Sequence, residues 1–184
     1  MPARRRFVIL DRDGVINRDS EAFIKTPEEW QPLEGSLEAV AALDCAGFKV
    51  AVITNQSGIG RGLLSEATLE KIHEKMLGAI EAAGGSVAGI YYCPHRPDEG
   101  CVCRKPATGL VRQLEEELEF PLAATPLIGD KAADMELARR VGARPILVRT
   151  GYGASTLAAM GEEELEVYDD LASAAAALIR EATA

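Results

Sequence analysis

The amino-acid sequence predicts an α/β fold built on a mostly parallel sheet. Short apolar runs of strand length alternate with stretches of helical spacing. The apolar runs are continuous, as in strands buried on both faces. Helix starts and stops fall on capping residues and glycines.

The elements follow in order. Phe7–Leu10 is the first buried strand. Gly35–Ala46 has Leu37, Val40, Ala41 and Leu43 on one side and ends at Gly47. Lys49–Ile53 is the second strand. Ser65–Ala83 is a long helix, with Ser65 as N-cap and Gly84-Gly85 as terminator. Val87–Tyr92 is the third strand and Gly109–Leu118 the next helix. Pro126–Ile128, helical Lys131–Val141 and strand Ile146–Val148 complete the alternation, and the Ala-rich Leu171–Ala182 is the last helix. Residues 17–31, 92–108 and 150–163 are less regular. The first two follow strand ends, where loops that carry chemistry belong.

The chain has 184 residues, 47% of them hydrophobic, which suits one domain over 1–184. A net charge of −9 argues against a nucleic-acid partner. Arg4, Arg5 and Arg6 precede only four apolar residues before Asp11, too few for a signal peptide, and no run is long enough to span a membrane. The expectation is a cytoplasmic protein without a membrane partner, whose four cysteines are thiols or metal ligands.

Asp11-Arg12-Asp13-Gly14 continues the first strand. Residues i and i+2 of an extended chain point the same way, so Asp11 and Asp13 share one space above the sheet. One carboxylate can attack while the other handles protons. An isolated D-x-D-G also marks an ordinary turn, but here other strand ends carry matching chemistry. Thr54, Asn55 and Gln56 follow the second strand and offer hydrogen bonds to phosphoryl oxygens. Arg104-Lys105-Pro106 places two cations ahead of a helix. Gly129-Asp130-Lys131 ends the fourth strand, with Asp134 four residues beyond Asp130. Each of these alone is also a common loop, surface or capping pattern.

Taken in order, DRDGVIN, TNQSG, RKP and GDKAAD resemble the four motifs of the haloacid dehalogenase superfamily of phosphohydrolases, over at least residues 7–150. The resemblance implies a three-layer α/β/α Rossmann-like core. It implies that Asp11 attacks phosphorus and Asp13 protonates the leaving oxygen and then activates water. Thr54 would bind the phosphoryl group, Lys105 stabilise it, and Asp11, Asp13 (through its carbonyl) and Asp130 hold Mg²⁺. Electrostatics independently favours a cation, because like charges about 4 Å apart repel by about 4 kcal/mol at an effective dielectric near 20. Larger relatives insert a cap domain after the first or second motif. Here 40 residues separate Asp13 from Thr54 and 49 separate Thr54 from Arg104, leaving room for core elements and no large cap.

Cys93, His95, Cys101 and Cys103 fall within 11 residues. Cys₃His is a tetrahedral zinc set, so loop 92–104 is expected to hold a structural Zn²⁺; a loop of free thiols is the alternative. The loop runs directly into Arg104 and Lys105. Cys45 reads as a buried thiol, His73 as a solvated surface residue, and Trp30 as packing.

Within the superfamily, the cap-less core with this cysteine loop is similar to a subgroup of heptose bisphosphate phosphatases and histidinol-phosphate phosphatases. Asn55–Gly62, YCPH, CRKP and RTGYG resemble the heptose branch. That implies a small phosphorylated sugar as substrate, with Asp19, Ser20, Glu21 and Ala22 at the sugar and Arg104 and Lys131 near its distal phosphate. A phospho-accepting receiver domain and a zinc-organised binding module are the non-phosphatase alternatives. A monomer is expected.

Overall fold

The computed structural model describes residues 6–161 and 165–184. Arg4 and Arg5, and the part of the 150–163 stretch beyond residue 161, lie outside the described residues. Six strands form one sheet in the order β3-β2-β1-β4-β5-β6, with every pair parallel. They are β1 (Arg6–Leu10), β2 (Phe48–Asn55), β3 (Gly89–Cys93), β4 (Pro126–Gly129), β5 (Arg144–Val148) and β6 (Glu166–Tyr168). The helices are α1 (Ser36–Cys45), α2 (Ser57–Gly60), α3 (Glu66–Ala82), α4 (Gly109–Leu118), α5 (Ala132–Val141), α6 (Gly153–Met160) and α7 (Leu171–Thr183).

The period-2 alternation of the strands sorts the core into two faces. Val8, Leu10, Val50 and Val52 pack with α1, α3 and α7 through Val40, Leu43, Ile72, Met76 and Leu178. Ile9, Ala51 and Ile53 pack with α4 and α5 through Leu110, Leu114 and Leu137. The result is the three-layer α/β/α architecture. Ser65 caps α3 by accepting from the Thr68 amide at 3.1 Å, and Gly84 ends the helix region at φ +90°. Between β1 and α1, and between β3 and α4, the only helical segments among the described residues are 3₁₀ turns at Pro27–Glu29 and Pro97–Glu99. Among the described residues, no large cap covers the carboxyl ends of the strands.

Several expectations need correction. The 150–163 stretch contains helix α6 and leads into strand β6. Strand β2 runs on to Asn55, so Thr54 and Asn55 lie within it and not after it, and β3 starts at Gly89, two residues later than Val87. Cys45 is exposed, not buried, because it lies at the last turn of α1, past the packed stripe Ala39-Val40-Leu43. His73 is buried, 8% exposed, because it follows Ile72 on the α3 face that meets the sheet. Trp30 packs as expected, 1% exposed.

Candidate active site

The carboxyl ends of β1, β2 and β4 converge on one group of charged side chains. Asp11 leaves β1 with its amide bonded to the Ile128 carbonyl at 2.9 Å, so β4 anchors it. Its Oδ1 accepts from the Arg12 amide at 2.8 Å and from Lys105 Nζ at 2.8 Å. Burial pushes the Asp11 carboxyl up to about 8; Lys105 pulls it down, while Asp134 and Asp130 add to the rise.

Lys105 is itself buried. Its Nζ also donates to Asp134 Oδ1 at 2.7 Å and to the Ile53 carbonyl at 3.3 Å. Burial opposes its charge, but Asp11 and Asp134 more than compensate and hold it above the usual lysine value. Asn55 clamps the Lys105 backbone from both sides: Oδ1 accepts from its amide at 3.0 Å and Nδ2 donates to its carbonyl at 3.2 Å.

Asp130 is wholly buried at the end of β4. The Tyr152 amide donates to its Oδ2 at 2.8 Å, whereas Oδ1 has no hydrogen-bond partner. Burial raises its carboxyl to about 6 against the pull of Lys131 and the Tyr152 amide. A Cβ on Gly14 would lie 2.2 Å from Asp130 Oδ2, and one on Gly151 2.3 Å from the same atom. Both glycines have positive φ, so backbone packs directly on this carboxylate.

Carboxylate oxygens of Asp11, Asp130 and Asp134 lie within 4.8 Å of one another. Three buried acids against Lys105 leave a surplus of negative charge, and Asp130 Oδ1 is an unsatisfied hard donor. That donor set fits a divalent cation of the Mg²⁺ type. Asp134 also caps α5, accepting from the Lys131 amide at 3.2 Å, so the bland capping role and the ion pair belong to one side chain.

The Asp13 carboxylate points elsewhere. It takes Arg12, Asn17 Nδ2 (2.9 Å) and Gln56 Nε2 (2.8 Å). Burial raises its carboxyl, but these partners outweigh burial and hold it below the usual range. Gln56 Nε2 also donates to Thr54 Oγ1 at 2.8 Å.

The residues expected at the sugar and its distal phosphate are Lys131, Asp19, Ser20, Glu21, Ala22 and Arg104. Lys131 Nζ meets Asp19 Oδ2 at 2.6 Å and lies 5.1 Å above the Tyr152 ring. Ser20, Glu21 and Ala22 form an exposed turn in which Ser20 Oγ accepts from the Ala22 amide at 3.2 Å. Arg104 is half-buried and donates to the His95 carbonyl at 3.4 Å.

Cys93 ends edge strand β3, and the loop brings the other three ligands back to it. Sulfur–sulfur distances are 3.1, 3.6 and 3.6 Å, and His95 Nδ1 lies 3.4 and 3.2 Å from Cys93 and Cys103. A tetrahedron with Zn–S near 2.3 Å and Zn–N near 2.0 Å has edges of about 3.5–3.8 Å. The cluster fits a tetrahedral metal. The Arg104 amide donates to Cys101 Sγ at 3.4 Å, which ties the loop to the Arg104-Lys105 segment.

Reading the sequence missed Arg12, Asn17 and His73, and the Thr150–Tyr152 turn that seats Asp130. Asn17 and the turn lie inside the DRDGVIN and RTGYG motifs, which was the available signal. His73 had none, because its partner is 61 residues away.

Comparison with known proteins agrees with this geometry. A HAD-hydrolase-like family model matches residues 102–174. The D-glycero-beta-D-manno-heptose-1,7-bisphosphate 7-phosphatase of Pseudomonas putida is 50% identical over 95% of this chain and 99% of its own length. The protein of the same name from Bordetella bronchiseptica is 48% identical over 96% and 99%. The crystal structure of D,D-heptose 1,7-bisphosphate phosphatase from B. bronchiseptica, complexed with magnesium and phosphate, superposes with a TM-score of 0.92 at 47% identity, covering 96% and 99% of the two chains. This chain belongs to the family of D-glycero-beta-D-manno-heptose-1,7-bisphosphate 7-phosphatases, among the HAD-like hydrolases.

Proposed function

We propose that this protein is a cytoplasmic, monomeric, single-domain phosphatase that removes the C7 phosphate of D-glycero-beta-D-manno-heptose 1,7-bisphosphate and leaves the 1-phosphate. The observation that carries the reading is 50% identity, over nearly the full length of both chains, to a protein of that name. The buried Asp11–Lys105–Asp134 group beside Asp130 supports it. Among the described residues no helix is long and apolar enough to cross a membrane.

Asp11, Asp130 and the Asp13 carbonyl would hold Mg²⁺. When bound, the ion offsets the charge between these acids and the incoming phosphate and favours ionised Asp11. An Asp11 oxygen attacks phosphorus, and the bond from phosphorus to the C7 oxygen breaks. That oxygen keeps the electron pair and takes a proton from Asp13. Lys105 and the Thr54 hydroxyl face the charge on the transferring group, and Asn55 and Gln56 hold these two in place. Water then gives a proton to the Asp13 carboxylate and attacks phosphorus. The bond to Asp11 breaks, releasing phosphate and restoring both acids. Asp19, Ser20, Glu21 and Ala22 contact the sugar, and Arg104 and Lys131 face the distal phosphate. Zn²⁺ on Cys93, His95, Cys101 and Cys103 shapes loop 92–104 and does no chemistry.

Phosphate release tests the reading, with Mg²⁺ and with excess chelator, on both heptose 1,7-bisphosphate anomers and on histidinol phosphate. The expected result is preference for the β anomer, abolished by chelation. Preference for histidinol phosphate would move the protein to another branch, and release that survives chelation would remove the metal from the reaction.

A further inference from the structure

Arg12 stands between the two acids of the first loop and is wholly buried, which is rare for arginine. Its Nε donates to Asp13 Oδ1 at 2.9 Å and its Nη2 to Asp13 Oδ2 at 3.1 Å, a two-pronged grip on one carboxylate. The third nitrogen, Nη1, lies 3.2 Å from His73 Nε2. Arginine has donors only. His73 therefore accepts at Nε2 and carries its ring proton on Nδ1. Burial and the Arg12 cation lower the His73 pKa to about 4, which keeps the ring neutral and able to accept. With Asn17 and Gln56 added, four donors surround the Asp13 carboxylate and leave it one orientation.

We propose that Arg12 and His73 are positioning residues for proton delivery to the leaving group: Arg12 sets the plane of the Asp13 carboxyl, and His73 fixes Arg12 from helix α3. The inference rests on reading Asp13 as the general acid.

A purely structural role for His73 would lower all activities together. A positioning role acts on substrates whose leaving group needs a proton. The sugar alkoxide needs one, and acetate leaving acetyl phosphate does not. The ratio kcat/KM covers the steps through leaving-group departure and isolates this half of the reaction. His73→Phe removes the acceptor, His73→Gln retains one, and Arg12→Lys keeps the charge without the fork.

Expected is a fall of about tenfold or more in kcat/KM on the heptose bisphosphate for His73→Phe and Arg12→Lys, short of the roughly 10²–10⁴-fold contribution of general acid catalysis. On acetyl phosphate the fall stays under about twofold, and His73→Gln restores most of the heptose activity. Asp13→Asn serves as the reference and should show a larger split of the same sign. Equal losses on both substrates in the His73 and Arg12 variants, beside a split in Asp13→Asn, would overturn the positioning role alone. No split in Asp13→Asn would overturn the general-acid reading beneath it.

Discussion

Lys105 Nζ lies 2.7 Å from Asp134 Oδ1, and both side chains are almost wholly buried. The ammonium thus reaches Asp11 from a fixed post, with Asp134 on α5 holding it at one side. Asp134→Asn should leave Lys105 with Asp11 alone. The expected loss is on the order of 2 kcal/mol, a drop of roughly 4–8 °C in melting temperature for a chain of this size. Activity should fall by about tenfold or more, because an unanchored lysine stabilises developing charge less well. Differential scanning calorimetry and phosphate release check the two parts. Unchanged turnover would show that Asp134 is only a helix cap.

The metal loop gives a second prediction. Arg104 donates its amide to Cys101 Sγ, and the next residue is Lys105, so loss of the tetrahedral cluster should reach the active site. Zinc-free protein, verified by elemental analysis, should melt lower and lose about tenfold or more in kcat, the scale of outer-shell effects on metal sites. Full activity without zinc would sink the link.

Two glycines make a steric test. Gly151→Ala places a methyl 2.3 Å from Asp130 Oδ2 and 2.6 Å from Gly14 Cα, at φ +57°. Displacing Asp130 by about 1 Å should lower kcat by about 100-fold and raise the Mg²⁺ concentration needed for half activity. Gly84→Ala, at φ +90° with nothing within 4 Å, should cost only about 1 kcal/mol of stability and leave kcat unchanged. Comparable kinetics in the two variants would contradict the packing argument.

His73 makes stability depend on pH. Its folded pKa, about 4, is below its ordinary value of 6.5 because burial disfavours the charged ring. The unfolded chain therefore binds the proton first. The contribution is fully present above pH 6.5 and is lost progressively as pH falls towards 4. It amounts to about 3 kcal/mol, at about 1.4 kcal/mol per pH unit. Urea midpoints between pH 7 and 4 should fall less steeply in His73→Gln than in the wild type, and parallel curves would rule the effect out.

What was legible in the sequence follows from where the signals lie along the chain. Strands β1, β2 and β4 are central, so their residues are apolar on both faces, and the acids at their ends stand out against that background. The cysteine spacing is equally local. Strand β6 has three residues and half-buried side chains, too short to show a period. Helix α6 reads GASTLAAM, opens without a side-chain cap and follows a glycine-rich turn, so it resembles a loop. Arg12 and His73 escaped notice for a different reason. Their partnership is tertiary, and a histidine beside an apolar position on a helix looks the same whether it faces water or an arginine.

The strand order also bears on how the chain folds as it is made. Strand β1 emerges first, yet one of its neighbours, β4, ends only at Gly129. Synthesis proceeds from the N-terminus at about 5–20 residues per second, so one edge of this very apolar strand waits several seconds or more for its partner. Asp11 and Asp13, placed directly after it, are charged residues that interrupt a sticky segment during that wait. Charges placed directly after an apolar strand disfavour edge-to-edge association in general, so the acids read as chemistry in the finished protein occupy a gatekeeper position in the nascent chain.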